Sequence, residues 1–113
     1  MSAINVKNKP VELYDDGYLK NPESWTEDVA VVMAEAEGVK LTEEHWELLR
    51  YLRNYYEEKL VSPNVKILVK HMKETFSDRD IDTKRLYELF PKGPAFQGCK
   101  FAGLPKPTNC IDG

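Results

Sequence analysis

Long apolar runs and targeting features are scarce in this sequence. The longest uninterrupted apolar run, Val29 to Ala34, covers six residues, whereas a membrane-spanning helix needs about 20. The N-terminal residues Met1 to Asn5 contain no apolar segment of the kind that secretory signals carry. These absences predict a cytoplasmic protein that does not insert into a membrane.

Cysteine and histidine are also rare. There are two cysteines, Cys99 and Cys110, and both lie in the last fifteen residues. Two are too few for a secreted disulfide framework, and they lack the spacing of a zinc site. The two histidines, His45 and His71, have no cysteine or carboxylate at ligand spacing, so we expect structural roles, no metal and no cofactor. In a cytosolic chain the cysteines are interpreted as free thiols or a redox pair.

Nucleotide-binding and hydrolase motifs are missing as well. The sequence contains no phosphate-binding loop, no G-x-G-x-x-G and no G-x-S-x-G. The net charge of −3 is uneven, since residues 1–61 carry −6, residues 62–90 carry +1 and residues 91–113 carry +2. An overall acidic chain argues against non-specific nucleic-acid binding, which depends on many phosphate contacts, but it allows a local basic face.

What is present predicts one compact domain in the 113 residues. Alternating apolar and polar residues indicate an N-terminal β-hairpin over about 3–14. Apolar residues at 3–4 spacing indicate helices over about 22–37, 43–60, 63–76, 83–90 and 95–102. The predicted fold class is therefore mainly α with a small N-terminal β-hairpin (α+β), with one domain over 1–103 and a mobile C-terminal arm over 104–113.

Local signals set the expected ends of these helices. Thr42 is the expected N-cap of the second helix, while Ser62 and Pro63 are expected to start the third. Gly103 is expected to end the fifth helix.

The third helix, a polar loop and the short fourth helix resemble a helix-turn-helix pair in outline, which is common in small helical domains. A candidate surface for an acidic partner protein or for nucleic acid is formed by Lys66, Lys70, Lys73, Lys84 and Arg85. A redox-sensing DNA-binding regulator is therefore an alternative function from another class.

The cysteines sit in different contexts. Cys110 follows Pro105 and Pro107, which exclude a helix and favour an extended segment. Leu104 to Cys110 spans at most about 23 Å, enough to enter the active site of a partner. Lys106, and Lys100 as a second candidate, would favour the reactive thiolate. The alternative for Cys110 is an inert exposed thiol. Cys99, at the root of the arm, is a candidate resolving thiol.

Several stretches carry a family resemblance. The chain closely resembles the DsrC/TusE family in Asn21-Pro22-Glu23-Ser24-Trp25, in Leu41-Thr42-Glu43-Glu44-His45-Trp46, and in the block Gly93-Pro94, Cys99, Ala102-Gly103-Leu104-Pro105-Lys106-Pro107-Thr108 and Cys110. The family usually has a glycine where Asn109 stands, and it usually ends one residue after the last cysteine, whereas Ile111, Asp112 and Gly113 follow here.

The resemblance implies a sulfur carrier that does not turn over alone. Cys110 is the implied persulfide carrier, and Cys99 is the implied resolving thiol that forms a disulfide or trisulfide with it. The supporting arm residues are Gly103, Pro105, Lys106, Pro107 and Thr108.

Having both cysteines places the chain on the DsrC side of the family, in sulfur oxidation or sulfite reduction. The implied partners are dissimilatory sulfite reductase, a DsrEFH/TusBCD-type sulfur-transfer complex and a membrane-bound heterodisulfide-reductase-like complex, with the protein itself a monomer. The alternative within the family is TusE-like transfer towards tRNA 2-thiouridine. A third possibility is a purely structural subunit of sulfite reductase, in which both cysteines are dispensable.

Overall fold

The computed structural model describes residues 2–107, so the expectations for Thr108 and Cys110 lie outside the described residues. The chain opens with a β-hairpin. Strands β1 (Ser2–Val6) and β2 (Lys9–Leu13) pair antiparallel. The two-residue loop between them has φ of 50° at Lys7 and 67° at Asn8, as a type I′ turn requires.

Five α-helices follow within the described residues. They are α1 (Glu27–Ala36), α2 (Glu43–Lys59), α3 (Val65–Thr75), α4 (Thr83–Leu89) and α5 (Pro94–Phe101). Hairpin and helices together confirm the predicted mainly α fold with a small N-terminal β-hairpin.

The first helix differs from the continuous helix predicted over 22–37. Asn21 caps a single 3-10 turn, Pro22–Ser24, and Trp25 then leaves the helical conformation with φ −70° and ψ 136°. Thr26 caps α1, because its Oγ1 accepts from the amide of Val29 at 3.3 Å. The break has a physical reason, since it allows the Trp25 side chain to reach the end of α5.

The core lies around α2 and α5. Its fully buried side chains include Leu48, Leu49, Leu52, Leu68, Met72, Leu86, Phe90, Cys99 and Phe101. Helix α5 packs against α1, α2 and α4, while α3 packs against α2 and α4. Between residues 2 and 107, none of the helices combines the length and apolar character that crossing a membrane demands.

Candidate functional site

Cys99 lies on α5 and is fully buried. Burial raises the pKa of its thiol to about 11, although a hydrogen bond with Ser62 acts in the opposite direction. Because the thiolate is the nucleophile, a pKa this high keeps Cys99 in its unreactive protonated form at neutral pH.

Ser62 is the polar side chain that meets the Cys99 thiol. Its Oγ lies 3.3 Å from Cys99 Sγ. The prediction that Ser62 and Pro63 start the third helix is wrong. Asn64 is the N-cap of α3 instead, with its Oδ1 accepting from the amide of Ile67 at 3.0 Å. The Ser62 hydroxyl is therefore directed to the sulfur and not to a helix end.

The C-terminal end of α5 is closed by the backbone of the next two residues. Gly103 has φ 73°, and its N–H donates to the carbonyl of Lys100 at 3.2 Å. The N–H of Leu104 donates to the carbonyl of Cys99 at 2.9 Å. These two bonds form a Schellman motif. They confirm Gly103 as the residue that ends the helix, and they tie Cys99 directly to the start of the arm.

The sequence predicts a mobile arm over 104–113, and the structure contradicts this for its first residue. Leu104 is buried and hydrogen-bonded to α5. Pro105 and Lys106 are exposed, and Pro107 is partly buried. Leu104 thus belongs to the body of the protein, because its side chain is part of the buried hydrophobic core.

The side chains of Trp25 and Arg53 also donate hydrogen bonds to the C-terminal end of α5. Trp25 Nε1 donates to the carbonyl of Phe101 at 2.8 Å, and Arg53 Nη1 donates to the carbonyl of Ala102 at 2.6 Å. The guanidinium also stacks on the Trp25 ring, 4.1 Å from its centre. A cation at a helix C-terminus is favourable, because the last carbonyls carry partial negative charge.

Sequence reasoning did not single out this pair for the site. The local signal that could have found Arg53 is its place next to Leu52, where the 3–4 apolar spacing of the second helix allows either residue to face inward.

Lys100 is paired with a carboxylate on α1's C-terminal side. Its Nζ lies 2.9 Å from Glu37 Oε2, and Gln97 Nε2 donates to Glu37 Oε1 at 2.7 Å. Burial alone would raise the pKa of Glu37, but the hydrogen bonds from Lys100 and Gln97 outweigh it and lower that pKa. The charge of Lys100 is thus committed to Glu37, whereas Lys106 is exposed.

One member of the candidate basic surface is paired with a carboxylate. Lys66, Lys70 and Lys73 are exposed on α3, and Lys84 is exposed on α4. Arg85 instead donates through Nε and Nη2 to the carboxylate of Glu44 at 3.0 and 3.1 Å. The Arg85 side chain is nevertheless 40% exposed, so the predicted surface of five basic residues stays a prediction, with the charge of Arg85 paired to Glu44.

The histidines have structural contacts, as expected. His45 Nδ1 accepts from the amide of Thr42 at 3.0 Å, so Nε2 carries the proton and donates to the carbonyl of Leu89 at 2.7 Å. Burial lowers the pKa of His45, which favours the neutral ring. His71 contacts Glu47 at 2.8 Å and stacks on Tyr51.

Metal-ligating side chains are dispersed in this fold. Among the residues that the structure describes, no three His, Cys, Asp or Glu side chains group closely enough to hold a metal ion.

Comparisons with known proteins agree on one family. A family model described as DsrC like protein matches residues 5–111. Sulfurtransferase TusE of Escherichia coli strain K12 is 48% identical over 105 residues, 93% of this chain and 96% of that protein. The crystal structure of the oxidized gamma-subunit of dissimilatory sulfite reductase (DsrC) from Archaeoglobus fulgidus superposes with a TM-score of 0.89 at 43% identity, covering 97% and 100% of the two chains. The NMR structure of Allochromatium vinosum DsrC gives a TM-score of 0.85 at 45% identity, covering 96% and 97%.

Proposed function

This chain belongs to the DsrC-like protein family, and we propose that it carries sulfur as a persulfide on Cys110, with Cys99 as the thiol that releases it. A sulfur-relay carrier is the function supported by the family model, by the relatives named sulfurtransferase and by the DsrC structures. The observation that carries our residue assignment is the bond from Leu104 to the carbonyl of Cys99, which anchors the root of the arm at one of the two cysteines.

Loading is a transfer of one sulfur atom and needs no oxidant. The Cys110 thiolate attacks the outer sulfur of a donor persulfide, a new S–S bond forms on Cys110, and the donor leaves as a thiolate with the electron pair of the broken bond. Sulfur exchange of this kind depends on access and on the thiolate fraction of the attacking group. An arm supplies the access that the buried Cys99 does not have.

The anchoring of Leu104 sets the reach of the arm. The six residues from Pro105 to Cys110 extend at most about 21 Å from the body. That distance is enough for a thiol to enter a cleft of a partner while the folded domain stays at its mouth. Because the arm starts at the end of α5, folding it back would bring Cys110 close to that end of the helix.

We propose dissimilatory sulfite reductase as the partner that the arm enters, because a closely similar chain is that enzyme's gamma-subunit in Archaeoglobus fulgidus. A DsrEFH/TusBCD-type complex is the proposed sulfur donor. A membrane-bound heterodisulfide-reductase-like complex is proposed to restore the two thiols by supplying two electrons. The proposed place of the relay is the cytoplasm.

A second candidate is TusE-like transfer towards tRNA 2-thiouridine, favoured by the 48% identity to a sulfurtransferase of that name. In this function Cys110 is sufficient and Cys99 is not required. Onward transfer to an acceptor cysteine that is unchanged in Cys99→Ala supports the TusE type, whereas a requirement for Cys99 supports the DsrC type.

The proposal is tested by the intact mass of the protein after incubation with a persulfide donor. The unmodified chain is expected to gain about 32 Da for each sulfur accepted. Cys110→Ala is expected to gain none, and Cys99→Ala is expected to load sulfur without closing a ring. Loading of Cys110→Ala at the level of the unmodified chain contradicts the assignment.

A further inference from the structure

We infer that Ser62 is a positioning residue for Cys99, and that its hydroxyl donates a hydrogen bond to the sulfur as Cys99 becomes a thiolate. The inference rests on the proposed function, because it concerns the step in which Cys99 releases sulfur from Cys110. It assigns a task to a side chain on the loop between α2 and α3, remote in sequence from both cysteines.

The loop is held so that Ser62 faces α5. Leu60 ends α2 in the left-handed conformation, with φ 59°, and its N–H donates to the carbonyl of Tyr56 at 2.8 Å. Pro63 is buried, and a proline restricts the residue before it to extended backbone. Asn64 then caps α3. The residues before and after Ser62 are thus fixed, and the Ser62 hydroxyl lies 3.3 Å from Cys99 Sγ.

The direction of this hydrogen bond depends on the charge of the sulfur. A thiol and a hydroxyl can each donate to the other, but a thiolate has no proton, so only the Ser62 hydroxyl can then donate. Hydrogen bonds to an ionised acceptor are stronger than those between neutral groups. The Ser62 bond therefore favours the thiolate over the thiol, which opposes the effect of burial on Cys99.

Other groups near α5 do not take over this task. Lys100, the adjacent cation, is paired with Glu37 at 2.9 Å. Arg53 donates to the carbonyl of Ala102. Both charges stabilise the helix and its end, so among residues 2–107 the polar contact at the sulfur itself is with Ser62.

The step that Ser62 assists is balanced without an oxidant. The Cys99 thiolate attacks Cys110 Sγ, an S–S bond forms between the two cysteines, and the S–S bond of the persulfide breaks. The outer sulfur leaves with the electron pair as hydrosulfide and takes up the proton that Cys99 has lost. The rate of this attack follows the fraction of Cys99 present as thiolate.

The first test is a titration of Cys99 in the Cys110→Ala background, followed by the NMR shift of a 13C-labelled cysteine Cβ. Ser62→Ala is expected to lower the acid dissociation constant of Cys99 about fivefold, the effect of one modest hydrogen bond. Ser62→Thr keeps the hydroxyl and is expected to restore the constant. Ser77→Ala, at an exposed serine away from the site, is the matched control and is expected to change nothing. An unchanged or increased constant in Ser62→Ala overturns the inference.

The second test measures release of hydrogen sulfide from persulfide-loaded protein that carries both cysteines. Ser62→Ala is expected to slow release about twofold, because the more basic thiolate is also more nucleophilic and offsets part of the fivefold loss in thiolate fraction. Ser62→Thr is expected to release sulfide near the unmodified rate. Equal release by Ser62→Ala and the unmodified chain overturns the inference and leaves the proposed function standing. If the unmodified chain loads sulfur but releases none, the role of Cys99 in the proposed function fails, and the titration alone decides the role of Ser62.

Discussion

Two buried polar centres of this fold differ in how many hydrogen bonds and ion pairs their side chains make. The first lies at the start of α2, where Glu44 binds Arg79 and Arg85, and where His45 bridges Thr42 and Leu89. The second lies at the end of α5, where Cys99 is buried. In the first, charged partners and backbone groups engage both side chains. In the second, a weak hydrogen bond with Ser62 is the polar contact of the sulfur within the described part of the chain.

At the second centre the backbone, unlike the thiol side chain, is held by several hydrogen bonds. Two of the last carbonyls accept from the backbone, Cys99 from Leu104 and Lys100 from Gly103. The next two accept from side chains, Phe101 from Trp25 and Ala102 from Arg53. The helix end is therefore rigid while the thiol side chain is only lightly held. This difference teaches that the fold fixes the backbone around Cys99 firmly, while the buried sulfur of Cys99 must become exposed before it can exchange.

The largest expected effect comes from breaking the helix end with Gly103→Ala. A Cβ at this position would overlap Cδ1 of Trp25, and the residue has φ 73°. Strain and overpacking together predict a loss of about 3 kcal/mol in the free energy of unfolding. Urea unfolding measures this loss.

Gly38→Ala is the matched control for Gly103→Ala. Gly38 has a similar φ of 76°, but no atom lies within 4 Å of an added Cβ. We expect it to cost about 1 kcal/mol, from the backbone conformation alone. Equal losses in the two variants would show that Trp25 does not hold the helix end as described.

A smaller loss in the free energy of unfolding is expected from the first centre, through His45, when the pH is lowered. Burial lowers the pKa of His45 below its ordinary value of 6.5 in the folded protein. The unfolded chain therefore binds this proton first, so stability is full above about pH 6.5 and decreases as the pH falls below it. His45→Gln is expected to flatten this part of the curve of unfolding free energy against pH. A slope that survives in His45→Gln contradicts the neutral, buried role of this ring.

Local sequence rules predicted much of this architecture. The hairpin, the cap at Thr42 and the helix end at Gly103 each depend on residues close in the chain, so their patterns were sufficient. The family resemblance, which the family model confirms, rested on motifs and not on such rules. The resemblance implied the roles of the two cysteines, but it did not indicate which residues surround Cys99 in the fold.

The errors arose where distant contacts compete with local signals. Ser62 and Pro63 form a typical helix start, yet Asn64 caps α3 and Ser62 turns to Cys99, 37 positions away. For Arg85 the sequence predicts a basic face and does not reveal the pairing with Glu44, 41 positions earlier. Neither partner is visible in a sequence window, because the contacts form only when α2, α4 and α5 pack together.

The central claim is that sulfur is first accepted by Cys110 and not by Cys99. The most direct measurement locates it by peptide mapping, after brief exposure to a persulfide donor, quenching with an alkylating reagent and digestion with trypsin. Cleavage after Lys92 and Lys100 separates Cys99, in residues 93–100, from Cys110, in residues 101–113, since the Lys106-Pro107 bond resists trypsin. The added sulfur is predicted on residues 101–113. Added sulfur appearing first on residues 93–100 would contradict the account.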